Sequence, residues 1–297
     1  MNKDRALDFF VEKLRDQDKS EATIKNYVAD LRKFFAYMEE KEGAHGGTGV
    51  SATPKKAIRE YKTYLEKSGL AASTVNRRLQ SLRSYFNSLV EAGVTKTNPA
   101  TEIKSKSIAK QNETKWLERH QVKAIFDAID KRKQGEAKRA LQRAIFLVLV
   151  NSALRVSELC ELRLGDLDWN NGFITVQSGK GGKFRKVPFN SATQKAVKIW
   201  LKYRRLEGDY VFQTERSDKM TPRAVQHMTK VLSADLPFHF TVHQLRHTAL
   251  KNLADKTGRI EIVATVAGHE NVNTSKRYIE PSLKEIAEAM KDSEFDF

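Results

Sequence analysis

Apolar residues recur at helical spacing through most of the chain, so the sequence predicts a mainly helical protein. In the first hundred residues Leu7, Phe10, Val11 and Leu14 share one helix face. Ile24, Tyr27, Leu31, Phe34, Phe35 and Met38 share a second, behind Ser20 as its cap. The stretch GAHGGTGVSATP interrupts this rhythm, and Pro54 suits the opening turn of a third helix through Ile58, Tyr61 and Leu65. A fourth runs from about Ser73 to Ala92, with Val75, Leu79, Leu82, Phe86 and Leu89 inward and Arg77, Arg78 and Arg83 elsewhere on its circumference. Four helices on short connections predict a small bundle.

After Asn98-Pro99 the polar, basic run TEIKSKSIAKQNETK reads as an interdomain linker, either an exposed tether or a segment extended along a nucleic-acid backbone. The expected division is therefore a helical domain over 1–98, a linker over 99–114 and a second domain over 115–297. Helical spacing returns over about 118–132 and 136–152, and then the period changes to two. DLDWNNGFITVQ carries an Asn-Gly turn ahead of a β-rich run, and SGKGGKFRKVPF supplies a second turn and strand, so about three antiparallel strands are expected. Helical patterns follow at 191–206, 221–233, 243–255, 259–267 and 273–278. PSLKEIAEAM then sets Leu283, Ile286, Ala287 and Met290 on one face of an amphipathic tail. The fold class is mainly α with a small antiparallel β-sheet: an N-terminal helical bundle ahead of an α+β domain.

Charge adds a partner to this outline. Lys and Arg outnumber Asp and Glu by 53 to 37 in 297 residues, a formal +16, which favours polyanions: nucleic acid first, an acidic membrane surface second. Up to Lys110 there are 21 Lys and Arg against 14 Asp and Glu, a net +7, which leaves +9 for the remainder. Both halves are basic, as a two-sided grip on a duplex requires. The longest apolar run, Ala144 to Val150, falls far short of the roughly 20 residues that span a bilayer. MNKDRALDFFVEKLRD mixes charge into its apolar positions instead of forming a signal-peptide core, so a cytoplasmic location is expected. The lone Cys160 has no partner for an intrachain disulfide or a zinc cluster. Nor is SGKGGKFRKVP a nucleotide loop: Gly182-Lys183 runs into Phe184 and a strand-like alternation, where a phosphate loop needs Ser or Thr and a helix.

Several polar residues could carry chemistry. His243 and Arg246 lie three apart on one helix face, and a guanidinium grips phosphate through a planar fork of donors that stays charged. Alone, the pair is weak evidence, and a solvated basic face is the plainer reading. Arg155 ends the long apolar helix beside Glu158, as half of a phosphate grip or as a buried ion pair. His269 follows Gly268 after EIVATVA, and Tyr278 lies nine residues later; each has a structural reading too, a helix-end contact and a half-buried aromatic.

In this order, however, the residues resemble the tyrosine recombinases, or phage-integrase family, over nearly the whole chain. ALRVSEL is similar to the family's first arginine box, GKGGKFRKVP to its β-hairpin lysine box, VHQLRHTAL to its H-x-x-R box and AGHENVNTSKRY to its histidine-then-tyrosine box. Ala153 stands where the family usually has glycine, and Ala249 where it often has phenylalanine. The resemblance implies a core-binding domain ahead of a catalytic domain of tyrosine-recombinase type. It places the catalytic set on Arg155, Lys180, His243, Arg246, His269 and Tyr278, the nucleophile, with Glu158 in support.

It further implies a 3′-phosphotyrosyl intermediate, with Lys180 protonating the departing 5′ oxygen and His243 managing the phenol proton or the phosphate. No cofactor and no metal ion is expected. The expected partners are double-stranded DNA bearing a target site and further copies of the chain, joined through the C-terminal helix in a synaptic tetramer. Packing of that helix within its own protomer is the alternative. Arg77, Arg78, Arg83, Lys183, Arg185 and Lys186 are candidates for DNA contact, or else solvated side chains. The chain starts almost directly with the core-binding helices, which favours a simple recombinase without an arm-binding domain. Two other functions share these features: a type IB topoisomerase, and a DNA-binding regulator whose catalytic residues are inert.

Overall fold

The computed structural model describes residues 3–17, 19–42, 53–107, 116–177, 184–204, 207–269 and 271–279. They belong to two compact units, Met1–Gln111 and Asn112–Phe297.

The first unit is built from α1 (Lys3–Asp16), α2 (Glu21–Glu42), α3 (Lys55–Lys67) and α4 (Ala72–Glu91). Ser20 caps α2 by accepting from the Thr23 amide at 3.3 Å, and so satisfies one of the donors that a helix start leaves unpaired. Phe10, Leu14, Ile24, Leu31, Phe34, Ile58, Tyr61, Leu65 and the five expected positions of α4 form one buried core. The charged side chains of α4 are tied down as well. Arg77 and Ser81 both donate to Asp30, which is buried on α2, and the Arg78 Nε lies 3.8 Å from the same carboxylate.

Arg83 reaches along the chain that follows its helix, donating to the Ile103 carbonyl at 2.5 Å and the Ala100 carbonyl at 3.3 Å. Asn76 holds both the amide and the carbonyl of Lys106. Residues 98–106 therefore pack on α4, with Ala100 and Ile103 buried, where an exposed linker was expected. Their few apolar side chains suffice because the backbone finds partners on a helix side chain every few residues.

In the second unit the run at Ala144–Val150 becomes the centre of α6 (Glu136–Ser152), with Ala144, Ile145, Phe146, Val148 and Leu149 fully buried. It packs against α8 (Ser191–Tyr203) and α10 (Val242–Thr257), and α5 (Arg119–Lys131) and α9 (Pro222–Ser233) complete the layer. A short α7 (Val156–Glu161), absent from the sequence reading, leads into three antiparallel strands in chain order: β1 (Leu167–Asp168), β2 (Phe173–Gln177) and β3 (Phe184–Pro188). The Asn171-Gly172 turn joins the first two, with Gly172 at φ 71°. Ile174 faces Val187, and Val176 faces Arg185, in the β2–β3 register. The described part ends with α11 (Ile260–Ala267) and a 3₁₀ turn that runs into α12 (Lys276–Ile279). Together these elements give the expected mainly helical fold with a small antiparallel sheet.

Helix α6 stops at Ala153, whose φ of 53° makes it the only non-glycine residue in the left-handed region among the described residues. The reversal drops Leu154 into the core and aims the chain at α7. A Cβ in this conformation costs about 1–2 kcal/mol, which is the physical reason for a glycine here. Ala153→Gly is expected to raise stability by about 0.5–1 kcal/mol, because relief of the strain exceeds the added freedom of the unfolded chain. A urea unfolding midpoint that fails to rise would show that the strain is absorbed elsewhere.

Candidate active site

The site is assembled around the C-terminal end of α11. Three successive carbonyls there each accept from a different arginine. Val266 takes Arg185 Nε at 3.0 Å, Ala267 takes Arg246 Nη2 at 2.6 Å, and Gly268 takes Arg155 Nη2 at 3.1 Å. A helix end favours cations, because its last carbonyls lack partners and carry the negative pole of the helix dipole. Gly268, at φ 61°, closes the helix in a Schellman turn: its amide bonds the Thr265 carbonyl and the His269 amide bonds the Ala264 carbonyl.

Each arginine arrives on its own element. Arg155 precedes α7, and the Glu158 carboxylate takes both its amide, at 2.7 Å, and its Nη1, at 2.8 Å. Arg246 comes from α10, donates to the Ala153 carbonyl at 2.5 Å and lies 3.8 Å from Glu158. Arg185 comes from β3 and forks onto both Glu158 oxygens, at 3.0 and 2.7 Å. Burial by itself would raise the Glu158 pKa, but the Arg185 hydrogen bond, the Arg155 amide and the nearby charges outweigh it and hold the carboxyl at about 2. Burial, and then Arg155, pull Arg246 down to about 10, so it stays a cation at neutral pH although only 3% exposed. Arg155 is 44% exposed, and its guanidinium has N–H groups to spare on the solvent side.

The histidines and the phenol complete the cluster. His243 and His247 stand one turn apart on α10, their rings edge to face with centroids 4.0 Å apart. Tyr278 on α12 is fully buried, and its hydroxyl lies 2.6 Å from His247 Nδ1 and accepts from Arg277 Nη2 at 3.3 Å. Burial raises the phenol pKa; Arg277, and then Arg246, oppose it without overcoming it. His269 meets the Ser275 hydroxyl through Nδ1 at 2.7 Å. Burial first lowers all three histidines: His243 in direction and His269 to about 4, each helped by the surrounding arginines, and His247 to about 3, helped by His243 and then by Arg277 and Arg246.

Of the residues singled out from sequence, Arg155, Glu158, His243, Arg246, His269 and Tyr278 lie in this one cluster. Lys180 and Lys183 are outside the described residues, and so is the tail bearing Leu283 to Met290. Arg185 departs from its expected role. Strand alternation turns it inward with Val187, while Phe184 and Lys186 face solvent, and Glu158 and Val266 occupy its guanidinium instead of DNA. Arg77, Arg78 and Arg83 are likewise engaged within the first unit. His247 and Arg277 went unremarked in the sequence, although His247 follows His243 at the helical spacing that places both on one face.

Among the described residues no three His, Cys, Asp or Glu side chains gather as a metal site, and no helix is long and apolar enough to cross a membrane.

Two family models match the chain: the phage integrase family over residues 115–285, and the phage integrase N-terminal SAM-like domain over residues 7–93. The tyrosine recombinase XerA of Pyrococcus horikoshii is 30% identical over 288 residues, which cover 96% of this chain and 92% of that protein. The tyrosine recombinase XerC of Bacillus pumilus is 28% identical over 292 residues, 93% of this chain and 92% of its own. Among solved structures, the Tn1549 transposon integrase in complex with circular intermediate DNA superimposes with a TM-score of 0.73 at 19% identity, over 96% of this chain and 98% of that one. The XerH site-specific recombinase bound to palindromic difH substrate, a post-cleavage complex, gives 0.72 at 19%, over 91% and 78%.

The chain belongs to the phage integrase family, the tyrosine recombinases. It is an enzyme of site-specific DNA recombination, one that cuts and rejoins strands through a tyrosine.

Because His247 and His269 resist protonation in the folded chain but titrate near 6.5 when unfolded, the unfolded state binds more protons as the pH falls. Their contribution to stability is therefore complete above about pH 6.5 and is lost progressively as the pH falls toward about 4 for His269 and about 3 for His247. For His247 this amounts to about 2 kcal/mol between pH 7 and 5. An NMR titration of the histidine Cε1–H signals is expected to show both rings neutral at pH 5. A ring that protonates near pH 6 would contradict the buried, cation-flanked environment.

Proposed function

We propose that Tyr278 attacks a DNA phosphodiester held by Arg155 and Arg246, giving a 3′-phosphotyrosyl ester and a free 5′ hydroxyl. The observation that carries this reading is the convergence of both guanidiniums, His243, His269 and the only phenol of the cluster around one helix end. Arg155, Arg185 and Arg246 share one carboxylate, Glu158, and Arg277 lies beside Tyr278, so the site holds an excess of positive charge and suits an anion. As the nucleophile adds, negative charge grows on the non-bridging oxygens, and donors already in place stabilise it without rearranging.

Proton traffic follows from the same geometry. A phenol with a raised pKa needs a base, and His247 Nδ1 already lies against its oxygen with His243 beside it. The negative charge of an incoming phosphate raises the pKa of both histidines and so makes them better acceptors. The departing 5′ oxygen takes its proton from Lys180 by the family resemblance. Because one phosphate ester replaces another, the bond energy is kept, and the 5′ hydroxyl of a second strand can displace Tyr278 without ATP or a metal ion. Net positive charge on both units supports a grip on the duplex from two sides, and the C-terminal helix is the proposed link between protomers in a tetramer. Cytoplasmic DNA is the proposed setting.

The test uses nicked suicide duplexes recovered by repeated selection for binding. The native chain is expected to form a covalent protein–DNA adduct that EDTA leaves undiminished, while Tyr278→Phe forms none and Arg246→Ala forms it about 10²–10³-fold more slowly. An adduct that survives Tyr278→Phe would overturn the assignment. Exchange of strands between two bound sites, as opposed to relaxation of supercoils alone, separates a recombinase from a topoisomerase.

A further inference from the structure

The inward turn of Arg185 gives this residue work that DNA contact does not explain. Strand β3 alternates: Phe184 and Lys186 are exposed, whereas Arg185 and Val187 lie on the side turned to the core. A cation in that register needs partners, and three of its five N–H groups have them. Nη1 and Nη2 fork onto the two oxygens of Glu158, and Nε donates to the Val266 carbonyl in the last turn of α11. The side chain is 11% exposed. Its guanidinium also lies flat against Gly268: a Cβ built on that glycine would meet Arg185 Nη1 at 3.0 Å, Cζ at 3.1 Å and Cδ at 3.2 Å. The glycine before His269 thus serves the left-handed turn and also leaves space for this arginine.

Each partner of Arg185 touches the machinery. Glu158 holds Arg155 through two bonds and stands 3.8 Å from Arg246. Val266 begins the run of carbonyls whose next two members take Arg246 and Arg155, and His269 follows directly. Arg185 itself touches none of the reacting groups.

We propose that Arg185 is a positioning residue for strand cleavage, a strut from β3 that sets the plane of the Glu158 carboxylate and pins the end of α11, so that Arg155 and Arg246 present their free N–H groups to one phosphate. The proposal rests on the reading of Arg155, Arg246 and Tyr278 as the reacting set. Lysine cannot replace the strut, because an ammonium is a point charge that does not span both carboxylate oxygens and a carbonyl in one plane.

The test separates cleavage from binding. Single-turnover adduct formation is measured at saturating nicked suicide duplex, and affinity is measured across a salt series, for the native chain, Arg185→Ala, Arg185→Lys, Glu158→Gln and the Arg185→Ala/Glu158→Gln pair. Misplacing a catalytic group by about 1 Å costs on the order of 10²-fold in rate, so Arg185→Ala is expected to cleave about 10²-fold more slowly with affinity changed less than about threefold. Arg185→Lys recovers a minor part of that loss. The double variant is expected to be no slower than its slower single parent within about threefold, since both substitutions break the same link.

A phosphate contact would behave in the opposite way: weaker binding, a salt slope smaller by about one, and a native rate at saturation. That outcome overturns the proposal, as do losses that multiply in the double variant. If Arg185→Ala fails to fold, Arg185→Lys decides: cleavage at least about tenfold slow at a near-native melting temperature supports the strut, and a native rate removes it. Native adduct with unimpaired Arg185 variants counts against Arg185 alone, whereas no native adduct removes the Tyr278 reading as well.

Discussion

Like charges do not gather unaided. Two guanidiniums about 5 Å apart repel by roughly 3 kcal/mol at an effective dielectric of about 20, and this site collects several before any substrate arrives. What holds them is the Glu158 carboxylate together with the carbonyl end of α11. The carboxylate supplies one full charge and the helix end a fraction of another, so the sum stays positive. That residue of positive charge is the useful part. It adds to burial in lowering the pKa of the neighbouring histidines, and in the proposed reaction it would face an anion whose charge grows.

The same constraint explains why the local backbone is unusual at two points. Helix α6 must end abruptly so that Ala153 can offer its carbonyl to Arg246 and Arg155 can begin the next helix, and the left-handed Ala153 is the result. Helix α11 must expose its last carbonyls, and left-handed Gly268 does this while admitting the flat face of Arg185. The first reversal offers a carbonyl to one arginine, Arg246, and the second offers three carbonyls to three.

Periodicity made the helices legible. The expected spans at 118–132, 136–152 and 243–255 fall within a few residues of α5, α6 and α10, and the Asn171-Gly172 turn lies where its dipeptide indicates. The site was legible through the order of its motifs. Pairing across the chain was not, because it leaves no periodic trace. Arg185 sits 27 positions from Glu158, and an inward cation next to an outward one, Lys186, looks like a surface residue until its carboxylate is known. Arg83 looked free for the same reason, since its partners are backbone carbonyls that no side-chain pattern announces. His247 was available from spacing alone, but its role depends on the hydroxyl of a residue 31 positions later.

Tyr278 has a consequence for the enzyme between encounters. A duplex is far too large to enter a space that leaves the phenol ring no solvent exposure, so on the proposed reading the attacking hydroxyl is sheathed while the protein is alone. In that reading, uncovering the oxygen while it keeps its bond to His247 wets part of an aromatic ring, and the free energy comes from docking on DNA. On that reading the blade is unlocked by its own target, and a chain free of DNA carries it folded.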